Sequence, residues 1–346
     1  LPGSHSATEF VAWYNGHPDF QDRRFDLAQE RAGVIGVGNV ALDVARILCL
    51  GPGELRGTDM ADAALAALCE SRVREVHVIG RRGPVQAAFT NNELKELGEL
   101  AEADVVVRPD EAEPDPLSAE ELAASPRPAM RAKVEILQGF ASRPPAGKPR
   151  RMTLRFLLSP VEILGRAEGR VTGLRLERNV LERDAAGRLT ARGTGAFETL
   201  PVGLVFRSVG YKGLPLPGLP FDERAGTVPH VKGRVTDPAG GDAFAGRYVS
   251  GWIKRGPSGV IGNNKACSVE TVNTLLADLA AGALPRAERP EAAAFETLVR
   301  ERQPRAVTFA DWRRLDALEV ERGRSQDRPR VKYTSVEAML SALAAD

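Results

Sequence analysis

The spacing of apolar positions along the chain changes character at Gly33. A short apolar run, "GVIG", meets a glycine turn and passes into "NVALDVARILCL", where Val40, Val44, Ile47 and Leu48 share one helical face. That pattern predicts strand, turn and helix. "MADAALAALCESR" has helical spacing, "VREVHVIG" predicts a strand ending at Arg81, and "FTNNELKELGEL" opens another helix. "DVVVRP" reads as a short strand followed by an acidic, Pro-rich connection, and further on "KVEILQGF", "RMTLRFLLSPVEILG", "RVTGLRLERNVL" and "GLVFRSVG" read as strands separated by polar or glycine-containing turns, which predicts an antiparallel meander attached to the first strand-helix units. Ahead of all this lies one short amphipathic piece, "ATEFVAWYN". After a Pro- and Gly-rich stretch from Gly213 to Gly246, "GRYVSGWI" predicts a strand, "KRGPSGVIGNN" a loop and "ACSVETVNTLLADLAAG" a long helix, with further helices around Trp312 and Met339.

With 346 residues the chain exceeds the usual size of one core, so two domains, or one with a large insertion, are expected. Apolar residues make up 43% and charged residues 27%, with a formal net charge of +1. This is the balance of an ordinary folded protein and gives no bulk-charge argument for a nucleic-acid partner. The three cysteines, Cys49, Cys69 and Cys267, are far apart, which excludes a CxxC pair or a four-cysteine metal site within this chain. The histidines His5, His17, His77 and His230 show no metal-ligand spacing, so no metal is expected. No apolar run is long enough to span a bilayer and nothing resembles a signal peptide, so a cytoplasmic location is expected.

The chemistry concentrates in a few motifs. Gly36, Gly38 and Ala41 form GxGxxA between strand and helix: a tight turn, a bare backbone that pyrophosphate can approach, and a small residue where helix packs on strand. Asn39 is a natural N-cap, and the helix N-terminus behind it suits phosphate. At the end of the next long strand, where an NAD-specific fold carries an acidic residue, stand Arg81 and Arg82, whose paired donors and permanent charge suit a 2′-phosphate. The implied dinucleotide is NADP. Thr90 to Glu93 has capping-box spacing, which gives Glu93 a structural role on local chemistry. Trp252 could stack on a flat cofactor, and Gly256 and Gly259 precede a helix whose N-terminus favours negative charge, although a surface loop with a core tryptophan fits the same letters. No GxSxG, no HExxH and no Cys/His pairing points to a nucleophile.

Taken together, "GVGNVALDVARIL" (36–48), "GRRGPVQAAFTNNELKEL", "RSVGYKGLPLPGLPFD", "GWIKRGPSGVIG" and "RPRVK" resemble the adrenodoxin-reductase-like ferredoxin-NADP reductases, in particular the bacterial members, over nearly the whole chain. The resemblance implies an α/β architecture with two dinucleotide-binding folds, like that of glutathione reductase: a three-layer Rossmann-like NADP domain inserted into an FAD domain. It implies hydride transfer from NADPH to FAD and release of single electrons to a ferredoxin-type iron-sulfur protein. It places the pyrophosphate at Val37, Gly38, Asn39 and Val40, the 2′-phosphate at Arg81 and Arg82, and the nicotinamide end near Glu93, in place of the purely structural reading. Trp252, Gly259, Val260 and Ile261 match flavin contacts.

The family opens with a strand, GxGxxG turn and helix for the ADP half of FAD, and the present sequence corresponds to the part that follows. The expected division is therefore 1–20 as lead-in from that segment, 21–212 as the NADP domain with its meander, and 213–346 as the C-terminal part of the FAD domain. The alternative reading is a non-catalytic NADP-binding module without flavin. For the electron partner, the basic stretch Arg131, Lys133, Arg143, Lys148, Arg150 and Arg151 could steer an acidic ferredoxin or be a solvated connection.

Overall fold

The computed structural model describes residues 1–165, 169–238, 244–259 and 261–345. The chain divides into two units, residues 1–209 with 308–346, and residues 210–307.

The first unit is built on a six-stranded sheet in the order β1-β9-β2-β3-β5-β4. Its strands are β1 (Ser4–Ser6), β2 (Arg31–Ile35), β3 (Glu75–Ile79), β4 (Ala103–Val107), β5 (Arg150–Arg155) and β9 (Leu204–Arg207). Every neighbouring pair is parallel. The connections carry α1 (Ala7–Tyr14), α2 (Asn39–Cys49), α3 (Pro52–Arg56), α4 (Asp62–Cys69), α5 (Asn91–Leu97), α6 (Pro109–Ala112), α7 (Pro116–Ala124) and α8 (Pro128–Ser142).

Alternation along the strands sends residues to opposite faces, each with its own cover. Ala32, Val34, Val76, Val78, Leu204 and Phe206 pack with the helices around Phe10, Leu42, Leu94 and Leu137. Ile35, Ile79 and Val205 face the other way, onto Leu158, Leu174, Leu176 and Val202. Those partners belong to or adjoin a three-stranded antiparallel sheet, β6 (Leu158–Gly165), β7 (Val171–Arg183) and β8 (Leu189–Leu200). Helices, parallel sheet and antiparallel sheet make the three layers.

Residues 1–20 add to this unit: β1 extends the parallel sheet, and Phe10 and Trp13 of α1, a helix capped by a Ser6/Glu9 capping box, are buried in the core. Four sequence expectations are corrected. The "RMTLR" part of its run supplies β5 of the parallel sheet rather than a meander strand. "KVEILQGF" lies in α8, because Val134, Leu137 and Phe140 recur at helical spacing behind Pro128 at the helix start. "GLVFRSVG" supplies β9, which joins the parallel sheet rather than the meander, since its two faces are buried against different layers. "GRYVSGWI" forms no strand: Tyr248 makes an isolated bridge to Arg234 and Trp252 opens a helix.

The second unit contains the short strands β10 (His230–Val231) and β11 (Arg234–Val235) and the helices α9 (Trp252–Arg255), α10 (Ile261–Ala280) and α11 (Ala292–Arg302). Its core is Val228, Val235 and Val249, with Phe221, Phe244 and Ile253 packed around them. Residues 308–346, expected with 213–307, contribute α12 (Phe309–Arg324) and α13 (Val336–Ala344) to the first unit. Among the described residues no helix is long and apolar enough to cross a membrane.

Candidate functional site

The glycine turn leaves the C-terminal end of β2 where the chain order of the sheet reverses, with β3 on one side and β9 on the other. Open α/β sheets bind ligands at such a switch point. Gly36 adopts φ 129 and a Cβ there would stand 2.1 Å from the Ser208 carbonyl oxygen, so only glycine lets the chain pass the end of β9. Gly38 differs: a Cβ there would meet nothing within 4 Å. Its backbone is open toward the space at the start of α2, and fully buried Ala41 lets that helix close on the sheet.

Gly38, not Asn39, is the N-cap of α2, and Asn39 is its first residue. The Asn39 side chain reaches across instead, its Oδ1 accepting the Thr90 N–H at 2.8 Å. The Val37 carbonyl accepts from the Ala88 and Phe89 N–H groups at 2.8 and 3.2 Å. Val37 and Asn39 thus dock residues 88–90 against the turn, and Val40 packs on the helix-side core.

This docking also changes the expected capping box. Thr90 Oγ1 does accept the Glu93 N–H at 3.4 Å, but the Thr90 N–H that Glu93 was expected to reach is taken by Asn39. The Glu93 carboxylate stands half-buried. Burial and then the Asp43 and Glu96 carboxylates hold its pKa above the ordinary value, with Arg46 opposing. Arg46 itself is shared between Asp43 at 2.9 Å and Glu96 at 2.6 Å.

Arg81 and Arg82 follow β3, whose Ile79 is paired with Ile35 of β2, so the arginine loop and the glycine turn leave adjacent strand ends. The Gly36 N–H donates to the Ile79 carbonyl at 2.9 Å, and a Cβ at Gly80 would meet Val37 Cγ1 at 2.8 Å. Neither guanidinium has a hydrogen bond or ion pair with a described residue. Burial, and then the charge of Arg81, lower the pKa of Arg82, while Glu121 opposes them. Two adjacent unneutralised cations at a strand end are an anion-binding arrangement.

In the second unit, Trp252 opens α9 behind Gly251 at φ 73 and remains 44% exposed, its ring 5.5 Å from that of Tyr211. Gly256 and Gly259 both have positive φ, 84 and 80, and a Cβ at Gly259 would meet Asn263 Oδ1 at 2.5 Å. Ile261 opens α10, and Val260 lies outside the described residues. An open cavity of about 500 Å³ is lined by Lys254, Arg255, Ser258, Gly259 and Cys267, among others.

Lys254, which the sequence did not single out, is buried beneath it. Its ammonium donates to the Cys267 carbonyl at 3.2 Å, Glu270 Oε2 at 2.6 Å and Thr271 Oγ1 at 3.0 Å, tying α9 to α10. His230 completes the tie: its Nδ1 accepts the Gly233 N–H at 3.2 Å, which leaves Nε2–H to donate to the Lys254 carbonyl at 2.8 Å.

No protein-family model matches the chain. NADPH-ferredoxin reductase FprA of Mycobacterium tuberculosis is 47% identical over 345 aligned positions, covering 98% of this chain and 73% of that protein. The chain belongs to the adrenodoxin-reductase-like ferredoxin-NADP reductases. The human mitochondrial NADPH:adrenodoxin oxidoreductase is 43% identical to this reductase-family chain, over 99% of its length and 70% of the human protein. The solved structure of M. tuberculosis FprA in complex with NADPH matches it with a TM-score of 0.90 at 44% identity, across 100% of this chain and 74% of that one. The fold is accordingly that of the two-dinucleotide-fold oxidoreductases.

Proposed function

We infer that this chain carries NADPH-dependent electron transfer to a ferredoxin-type iron-sulfur protein, with FAD between them. The observation that carries the reading is the unpaired Arg81/Arg82 couple beside an open glycine turn, in a chain that resembles an NADPH-ferredoxin reductase along its whole length.

The residues present fit both cofactors. For NADPH, Gly38 and the first N–H groups of α2 receive the pyrophosphate, and Arg81 and Arg82 receive the 2′-phosphate, which distinguishes NADPH from NADH by charge. Val37 and Asn39 hold the 88–90 segment so that Glu93 stands at the nicotinamide end. For FAD, Trp252 would offer an exposed ring, Gly259 a positive-φ turn lining the cavity and α10 a helix N-terminus, which favours negative charge on a group held there. When bound, FAD supplies the conversion of a two-electron donor into single electrons. The protein's share is orientation and electrostatics.

For the iron-sulfur partner, the basic stretch is only partly available. The Lys133 ammonium donates to the Ala87 carbonyl, Lys148 to the Leu100 carbonyl, and buried Arg150 pairs with Glu102, which leaves Arg131, Arg143 and Arg151 exposed to steer an acidic surface. The three unpaired cysteines suit a reducing compartment, and we place the reaction in the cytoplasm.

The test is the purified chain incubated with FAD and freed of unbound flavin, its visible band followed on adding NADPH or NADH without oxygen. A retained band, bleached faster by NADPH, is expected. Arg81→Ala or Arg82→Ala should shrink the preference by roughly 10- to 100-fold, the worth of one charge-assisted phosphate contact. An unchanged preference, or a folded chain that keeps no flavin, overturns the reading.

A further inference from the structure

The side chains of Arg81 and Arg82 are free, but the backbone that carries them is tied at successive carbonyls. The Gly80 N–H donates to the Arg155 carbonyl at 2.8 Å, the Gly80 carbonyl accepts from Leu158 N–H at 3.0 Å, and the Arg82 carbonyl accepts from Leu157 N–H at 3.2 Å. The remaining carbonyl, that of Arg81, accepts from a side chain: Asn179 Nδ2 at 2.8 Å.

Asn179 lies on β7, ninety-eight positions along the chain from Arg81. It is only 3% exposed. Its second Nδ2 proton goes to Ser159 Oγ at 2.8 Å, which fixes the amide plane. Its own N–H donates to the Leu157 carbonyl at 2.8 Å, and Leu157 sits at φ 55, a conformation unusual for a non-glycine residue. The β7–β8 register shifts between Glu177 and Asn179, a bulge of the kind that re-aims a side chain. The bulge, the strained crossover at Leu157 and the buried amide converge on the arginine loop from the antiparallel sheet. A buried amide could satisfy itself within its own sheet, and this one spends a donor on the loop.

We propose that Asn179 is a positioning residue for dinucleotide selectivity: by holding the Arg81 carbonyl it fixes the guanidinium pair where a 2′-phosphate, and not a 2′-hydroxyl, is recognised. The proposal rests on the assignment of Arg81 and Arg82 to the 2′-phosphate. Preorganisation is its physical content, because two long flexible side chains bind an anion well only from a fixed base.

The experiment is equilibrium titration of the chain with NADP⁺ and with NAD⁺, which differ only in the 2′-phosphate, alongside thermal melts. Asn179→Asp keeps the shape but sets an acceptor against the Arg81 carbonyl. It should reduce the NADP⁺ over NAD⁺ affinity ratio by roughly tenfold through weaker NADP⁺ binding, with NAD⁺ affinity unchanged. Ser159→Ala, which frees the amide without touching its bond to Arg81, should lower the same ratio by a smaller factor and carries the test should the first variant fail to fold. Equal weakening of both dinucleotides marks a merely structural role and overturns the proposal. So does an unchanged ratio in a background where Arg81→Ala abolishes the preference. If Arg81→Ala and Arg82→Ala themselves leave the ratio unchanged, the 2′-phosphate assignment fails first and takes this proposal with it.

Discussion

Gly36 and Gly38 stand two positions apart in one turn, yet a methyl group meets different surroundings at each. At Gly36 it would lie 2.1 Å from a backbone carbonyl with φ at 129, so Gly36→Ala should cost at least about 2 kcal/mol of stability. At Gly38 the space is empty within 4 Å and φ is −108, so Gly38→Ala should move stability by less than about 1 kcal/mol while weakening NADP⁺ binding, because the methyl occupies the approach to the α2 N-terminus. Denaturant melts and NADP⁺ titrations of the two variants check the pair. A Gly38→Ala chain that binds NADP⁺ normally removes the pyrophosphate from this turn. The motif spacing made both glycines legible, although only Gly36 is demanded by the backbone, through its positive φ and the approach of Ser208, while Gly38 is left to keep the turn open. Asn39 and Glu93 were misjudged for one shared reason: each had an ideal local partner, but the Thr90 N–H was claimed across the fold, and a partner fifty-one positions away leaves no trace in local spacing.

Between elements, the tie of the antiparallel sheet to the parallel one runs through a buried ion cluster. Glu111 of α6, fully buried, accepts from Arg155 of β5 at 2.9 and 3.1 Å and from the Phe156 N–H at 2.8 Å, with Arg178 of β7 at 3.5 Å. Glu198 of β8 closes the cluster on Arg155 at 2.9 Å. Burial works against the Arg155 charge, and the bonds to Glu111 and Glu198 outweigh it, so its pKa lies above the ordinary value. Glu111→Ala should therefore cost about 3 kcal/mol, since it strands a buried guanidinium, whereas Glu111→Leu combined with Arg155→Met should cost less than the single change. Urea midpoints decide, and a single-variant loss below about 1 kcal/mol means solvent already screens the cluster. The strands of this region were visible as apolar runs, but their partners were not. Val134, Ile136 and Leu137 satisfy both alternation and helical spacing over so short a window, and only Pro128 favours the helix. Likewise nothing in "GLVFRSVG" distinguishes a parallel central strand from a meander strand until both its neighbours are known.

At the scale of the whole chain, the two units differ in how much apolar surface they close. The first buries two extensive clusters on the faces of its parallel sheet, while the second buries Val228, Val235 and Val249 with a few partners. Residues 308–346, though they follow the second unit in sequence, are fastened to the first: Arg328 pairs with Asp62 at 2.5 Å, Lys332 with Asp59 at 3.1 Å, and Val331 is 1% exposed. A composition break near Gly213 announces one boundary, whereas the return at Thr308 is written only in these long-range contacts, which is why a division at 213 with no return was expected. Local opening follows the density of buried contacts, so limited proteolysis should cut within 210–307 before 1–209. The nicked protein should then elute with the N-terminal and C-terminal fragments together, held by the Arg328 and Lys332 ion pairs and the packing around Val331, and separate only in denaturant. NADP⁺ should slow any later cutting within 1–209 without changing the first cut, because a ligand stabilises only the unit that binds it. Release of the 308–346 peptide under native conditions would show that the C-terminal helices are not part of the nucleotide-binding unit's stability, and first cleavage within 1–209 would show that buried contacts do not set the order of opening.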